Sequence, residues 1–183
     1  RVGGCEQEVA RKRELETGKF VTQQKIEARF RRVLQEMLKF DNVTHLTVVA
    51  HSQGTMIAID VLWFQWAKNL LKNGKRTVSL VTMGSPFTYL YQHYFPLRYP
   101  RLFSEDEKRA WGDDLAQTVD HWINIYRVDD YIGTRIQGRP DFPLDHRTGT
   151  PGGHTDYWSD AEAHSAMAPF LPAAKSQARS EAA

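Results

Sequence analysis

Residues 46–62 read LTVVAHSQGTMIAIDVL: an apolar run rich in β-branched residues, a polar interruption at His51-Ser52-Gln53-Gly54, and a second apolar run. Such a break fits either an ordinary strand-to-helix turn or a turn that holds a serine in the open for chemistry. The flanks identify the neighbours. Residues 45–50 (HLTVVA) lack strict polar alternation, as expected of a strand covered on both faces. After Gly54 a helix is expected to run to about Lys72, where Asn73-Gly74 supplies a pair tolerant of left-handed geometry. The polar break therefore joins a strand to a helix.

Outward from this turn, the pattern alternates. Upstream, Ile26, Phe30, Val33, Leu34, Met37 and Leu38 fall at helical spacing within residues 23–40. Downstream, residues 76–83 (RTVSLVTM) read as a strand that ends at Gly84-Ser85-Pro86. Residues 106–117 suit a helix and residues 120–128 (DHWINIYRV) a further strand. The stretch 133–153, with Pro140, Pro143 and Pro151, is expected to be a loop with room for one short strand. A last helix is expected over 160–170, with Ser159 or Asp160 near its cap, and the polar, alanine-rich residues 173–183 are expected to be disordered. Strands alternating with helices predict an α/β fold, a mostly parallel sheet flanked by helices. The chain is read as one domain over residues 1–172, with an aromatic-rich insert around 87–118.

Composition narrows the function classes. The 183 residues are 41% hydrophobic and 25% charged, with a formal net charge of +2, an ordinary balance for a globular protein. Basic residues concentrated before residue 40 are interleaved with glutamates, which suits a solvated helix face better than a nucleic-acid or membrane patch. The single Cys5 forbids an internal disulfide, and no segment resembles a signal peptide; the compartment stays open, with the cytoplasm favoured. The longest apolar stretch, 56–67, is broken by Asp60 and Gln65 and is too short to span a bilayer. The chain begins with Arg1 rather than Met, and whether it is a fragment of something longer stays open in the sequence. Asp141, Asp145, His146, His154, Asp156 and Asp160 cluster in the last third, yet their spacings match no compact ligand motif, and no metal or organic cofactor is expected.

In Ala50-His51-Ser52-Gln53-Gly54 the residues two before and two after the serine are small, which is what a sharp turn with closely packed backbones needs. Such a turn lifts Ser52 Oγ above the sheet and aims a helix N-terminus at whatever the serine attacks. The pentapeptide resembles the G-x-S-x-G nucleophile elbow of the α/β-hydrolase fold, in its lipase- and esterase-like branch, with alanine in place of the first glycine. The order of later residues agrees with that resemblance, since Asp129-Asp130 follows the third strand and His154 lies in Gly152-Gly153-His154 after the turn-rich loop. Leu80-Val-Thr-Met-Gly-Ser-Pro86 and Asn124-Ile-Tyr-Arg-Val-Asp-Asp-Tyr-Ile-Gly133 are similar to the strands that follow the elbow in this group. The likeness covers roughly residues 44–165. It implies an α/β-hydrolase-type sheet, reduced or truncated at its N-terminal side.

The resemblance also implies roles. Ser52 would be the nucleophile and His154 its base. The family pattern, an acid, any residue, Val or Ile, then a small residue, fits Asp130-Tyr131-Ile132-Gly133 and so favours Asp130 over Asp129 as the acid. The Gln53 N–H would donate to the oxyanion. The second donor of this fold comes from a loop upstream of the elbow; Val2-Gly3-Gly4 has the glycines for one, and the alternatives are a chain that starts downstream of it or a donor in a segment that carries no recognisable motif. The implied reaction is hydrolysis of a carboxylic ester, on a small-molecule or lipid substrate, through an acyl-serine. A non-catalytic interaction domain of a larger protein and a serine-dependent acyltransferase are the alternatives. No nucleic-acid partner is expected, and membrane contact only through missing segments or the aromatic insert. His51 is read as structural, and His45, His93, His121 and His164 as surface or core residues. The eight aromatics within residues 87–111 suit an acyl pocket, a satellite core or a docking surface, and the sequence does not choose among them.

Overall fold

A computed structural model describes residues 22–40, 42–72, 76–96, 98, 99, 104–136, 138 and 142–171. The Val2-Gly3-Gly4 segment, the Asn73-Gly74 stop and the 173–183 tail lie outside these residues. The chain separates into two compact units, Arg1–Asn42 and Val43–Ala183. The first contains helix α1, Thr22–Met37. Of its apolar stripe, Leu34 is buried while Ile26, Val33 and Met37 stay 42–47% exposed.

The second unit is built on four parallel strands in the order β1 (His45–His51), β2 (Thr77–Met83), β3 (His121–Tyr126) and β4 (Leu144–Arg147). Between β1 and β2 run helices α2 (Gln53–Trp63) and α3 (Gln65–Lys72). Between β2 and β3 come a π-helical turn (Phe87–Tyr91), the short α4 (Gln92–Tyr94) and α5 (Glu105–Ala116). After β4 a 3-10 turn (Asp156–Ser159) leads into α6 (Ala161–Met167) and a closing turn (Ala168–Phe170). This is the expected α/β arrangement, a parallel sheet with flanking helices.

Both faces of β2 and β3 are covered, which is why these strands carry no polar alternation. On one face Val81, Met83, Ile123 and Ile125 pack with Tyr157, Ala163 and Met167. Side chains alternate along a strand, so Trp122 points the other way, edge-on to Trp111 of α5 at 5.6 Å and to Phe142 at 5.6 Å. Phe87 stacks on Trp111 at 5.1 Å and meets Tyr99 edge-on at 6.1 Å. The inner aromatics of the insert are therefore a second core layer, while Tyr89, Tyr94 and Phe95 remain 55–67% exposed. The insert is also pinned to α2. Asp60, the charge that interrupts the apolar run, is buried and accepts hydrogen bonds from Tyr99 Oη and Arg98, each at 2.7 Å.

Two helices differ from expectation. The single helix expected over residues 54–72 breaks at Phe64, whose backbone is extended (φ −72°, ψ 145°). No Gly or Pro marks the break. Both halves converge on one carboxylate instead: the Trp63 indole N–H donates to Asp114, and Lys68 Nζ reaches the same group at 2.5 Å. Helix α5 starts at Glu105 because Ser104 and Glu107 form a reciprocal capping box.

Asp160 caps α6, accepting from the Glu162 and Ala163 N–H groups, and also holds Arg127 at 2.6 Å with both side chains essentially out of solvent. Burial works to raise the pKa of its carboxyl, but hydrogen bonds from Thr148, the Ala163 and Glu162 N–H groups and Arg127 outweigh it, bringing the pKa from 3.8 down to about 2. A carboxyl whose pKa is depressed by folding contributes stability above the ordinary 3.8 and loses it as pH falls toward about 2. Asp160→Asn leaves the Arg127 guanidinium buried without a counter-charge and is expected to cost about 3–5 kcal/mol. Urea titration at neutral pH and at pH 3 checks both statements: the wild type loses part of its margin over that interval, and the variant loses less.

Candidate active site

The site forms where three strand ends align. His51 pairs with Met83, and Met83 with Ile125, so β1, β2 and β3 finish at one level. The chain then turns away at each end: the Ser52 N–H donates to Met83 O at 3.0 Å and the Gly84 N–H to Ile125 O at 3.1 Å. These are the carboxyl ends of a parallel sheet, the edge where such folds bind ligands.

Ser52 has φ 55° and ψ −133°, the one positive φ at a non-glycine among the described residues. That conformation is sterically costly for an L-residue. It is the sharp turn expected between strand and helix. Ala50 is buried at its base, in keeping with the need for a small residue there. Gly54 departs from expectation: a Cβ placed on it meets nothing within 4 Å, so close backbone packing does not demand glycine at that position. Gln53 opens α2, and a first-turn N–H has no acceptor within its own helix. Its side chain hydrogen-bonds Tyr91 of the insert.

The three residues singled out in the sequence come together. His154 Nε2 lies 2.7 Å from Ser52 Oγ, and Nδ1 lies 3.0 and 2.9 Å from the two oxygens of Asp130. Asp130 is 3% exposed and belongs to the loop after β3; His154 belongs to the turn after β4. Burial acts to raise the Asp130 pKa, but hydrogen bonds from the Gly133 N–H, His154, the Ile132 N–H and Tyr157 hold it below the usual carboxylate value. An ionised carboxylate only accepts, so Nδ1 carries the proton and Nε2 is left as the acceptor for the Ser52 hydroxyl.

Asp129 has a different duty. Its Oδ2 accepts from the Gly152 N–H at 2.9 Å, tying the turn that carries His154 back to the loop that carries Asp130.

Two glycines make room for the acid. A Cβ on Gly84 would lie 3.1 Å from Asp130 Oδ2, 3.1 Å from His154 Cε1 and 2.9 Å from the Tyr157 ring. One on Gly133 would lie 2.3 Å from Asp130 Oδ2 and from Gly84 Cα. The small residue three after the acid is thus required by close approach, independently of any family pattern.

Tyr157, which sequence reasoning missed, completes the surroundings of Asp130. It is fully buried, donates from Oη to Asp130 Oδ2 at 2.9 Å and accepts from the Arg127 N–H at 3.1 Å. Burial and the neighbouring carboxylate raise its pKa, so it stays a phenol and a donor. Its position three residues after His154 is the only hint the sequence offers.

The remaining acidic and histidine residues are dispersed. Asp145 accepts from Asn124 Nδ2 and from the Ile136 N–H, Asp156 accepts from the Gly153 N–H, and Asp160 binds Arg127. No three His, Cys, Asp or Glu among the described residues are grouped to hold a metal ion, and Asp141 lies outside them. No described helix is long and apolar enough to cross a membrane. Comparison with known proteins found no family model, curated protein or solved structure that matches the chain.

Proposed function

We propose that this protein is a serine hydrolase of the α/β-hydrolase type that cleaves carboxylic esters through an acyl-serine. The observation that carries the reading is the continuous hydrogen-bonded chain from Ser52 Oγ through His154 to Asp130, with Nε2 at 2.7 Å from the hydroxyl. A serine hydroxyl is a weak nucleophile at its own pKa and needs an oriented base beside it.

In this reading Ser52 Oγ attacks the ester carbonyl while His154 Nε2 takes its proton. Asp130 holds the imidazole in the required tautomer and stabilises the cation that forms. The tetrahedral oxyanion is met by the Gln53 N–H at the start of α2, where one such donor contributes about 3 kcal/mol. His154 then returns the proton to the departing alcohol, and water repeats the sequence on the acyl-serine. An acyltransferase differs only in that a second alcohol or amine, rather than water, attacks the acyl-serine. The lipase- and esterase-like resemblance of the elbow favours esters over other acyl groups.

A fluorophosphonate probe tests the reading directly. The wild type is expected to be labelled at Ser52, with intact mass and peptide mapping locating the adduct, and Ser52→Ala to take no label. Folded wild-type protein that stays unlabelled would overturn the assignment.

A further inference from the structure

We propose that His51 is a positioning residue for this reaction: its imidazole grips the main chain of His154 and keeps the base seated on the nucleophile. The inference rests on the hydrolase reading above. His51 Nε2 lies 2.7 Å from the carbonyl oxygen of His154, across 103 residues of sequence. A carbonyl only accepts, so Nε2–H is the donor.

The two ends of this bond differ in rigidity. His51 is the last residue of β1, held in the ladder opposite Met83. His154 sits in a turn after two glycines, Gly152 and Gly153, whose backbones resist bending least. Asp130 fixes the imidazole of His154 at Nδ1 but leaves its main chain to other groups. His51 supplies that second point from the residue next to Ser52, so the segments bearing nucleophile and base are joined directly. Its ring is enclosed by the same turn, with centroids 4.9 Å from His154, 5.8 Å from Tyr157 and 6.0 Å from Trp158, the last edge-on. With both ends of His154 fixed, Nε2 is aimed at Ser52 Oγ before substrate arrives.

His51→Leu keeps the bulk and removes the donor, whereas His51→Gln places an amide nitrogen at comparable reach. Two readouts apply: the far-downfield proton resonance of the His154 Nδ1–H bound to Asp130, and the second-order rate of fluorophosphonate labelling. The leucine variant is expected to lose the resonance to solvent exchange and to label roughly 10- to 100-fold more slowly. The glutamine variant is expected to keep the resonance and to label within about threefold of wild type. Should the leucine variant fail to fold by circular dichroism, His51→Asn, polar but too short to reach, replaces it in the comparison. A donor-less variant that keeps both the resonance and the wild-type rate overturns the proposal, as does a glutamine variant as impaired as the donor-less one. If the resonance behaves as expected while folded wild type takes no probe, the hydrolase reading falls and the hold of His51 on His154 stands.

Discussion

Replacing His154 with alanine is expected to lower kcat/KM for a short-chain nitrophenyl ester by roughly 10⁶-fold, with the folded state retained. The magnitude follows from the geometry. Nε2 is 2.7 Å from Ser52 Oγ, and without it the hydroxyl has no base to receive its proton. The residual rate would come from the Gln53 donor and from substrate binding, which survive the substitution. On the proposed roles nucleophile and base act as one unit, so the double variant Ser52→Ala, His154→Ala is expected to be no slower than either single one. Steady-state kinetics on the three variants checks this. An alanine variant within tenfold of wild type would mean that His154 is not the base.

Asp130→Asn is expected to lower kcat/KM by roughly 10⁴-fold, while Asp129→Asn stays within a few-fold of wild type. An amide at residue 130 offers a donor where Nδ1–H needs an acceptor, which favours the wrong imidazole tautomer. At residue 129 the amide oxygen still accepts from the Gly152 N–H, so the turn keeps its tie. The pH dependence separates the two further. The depressed pKa of Asp130 keeps it ionised at neutral pH and some way below the ordinary 3.8. The stability it contributes is present above 3.8 and lost as pH falls through its folded value, and the asparagine variant lacks that component. A larger loss at residue 129 than at 130 would reverse the assignment.

Much of this site was legible in the sequence because its signals are local. An apolar run, a small residue at Ala50 and a serine before a second apolar run specify a strand, a turn and a helix without distant partners. The Asp130-Tyr131-Ile132-Gly133 spacing is equally local, and the approach of Gly133 to Gly84 gives it a steric cause. Features made by tertiary contact were not legible. At the break at Phe64, Trp63 and Lys68 on either side share Asp114, and nothing in Phe64-Gln65-Trp66 announces it. Tyr157 gains its role from Asp130, 27 residues away, and His51 from a carbonyl 103 residues away. Strand β4 reads LDHR, without apolar alternation, because it is held at the end of the sheet by its backbone ladder to β3. The insert answers its three readings in part: Phe87, Tyr99 and Trp111 are core, and their outward neighbours are surface.

The backbone of Ser52 has a bearing beyond the proposed chemistry. A linker asked only to carry the chain from β1 into α2 would be better served by glycine, which adopts φ 55° without penalty. Serine there burdens every folded molecule with about 1–3 kcal/mol of local strain. Ser52→Gly would relieve that strain and remove the hydroxyl with it. The residue whose main chain is least at ease is the one whose hydroxyl faces His154.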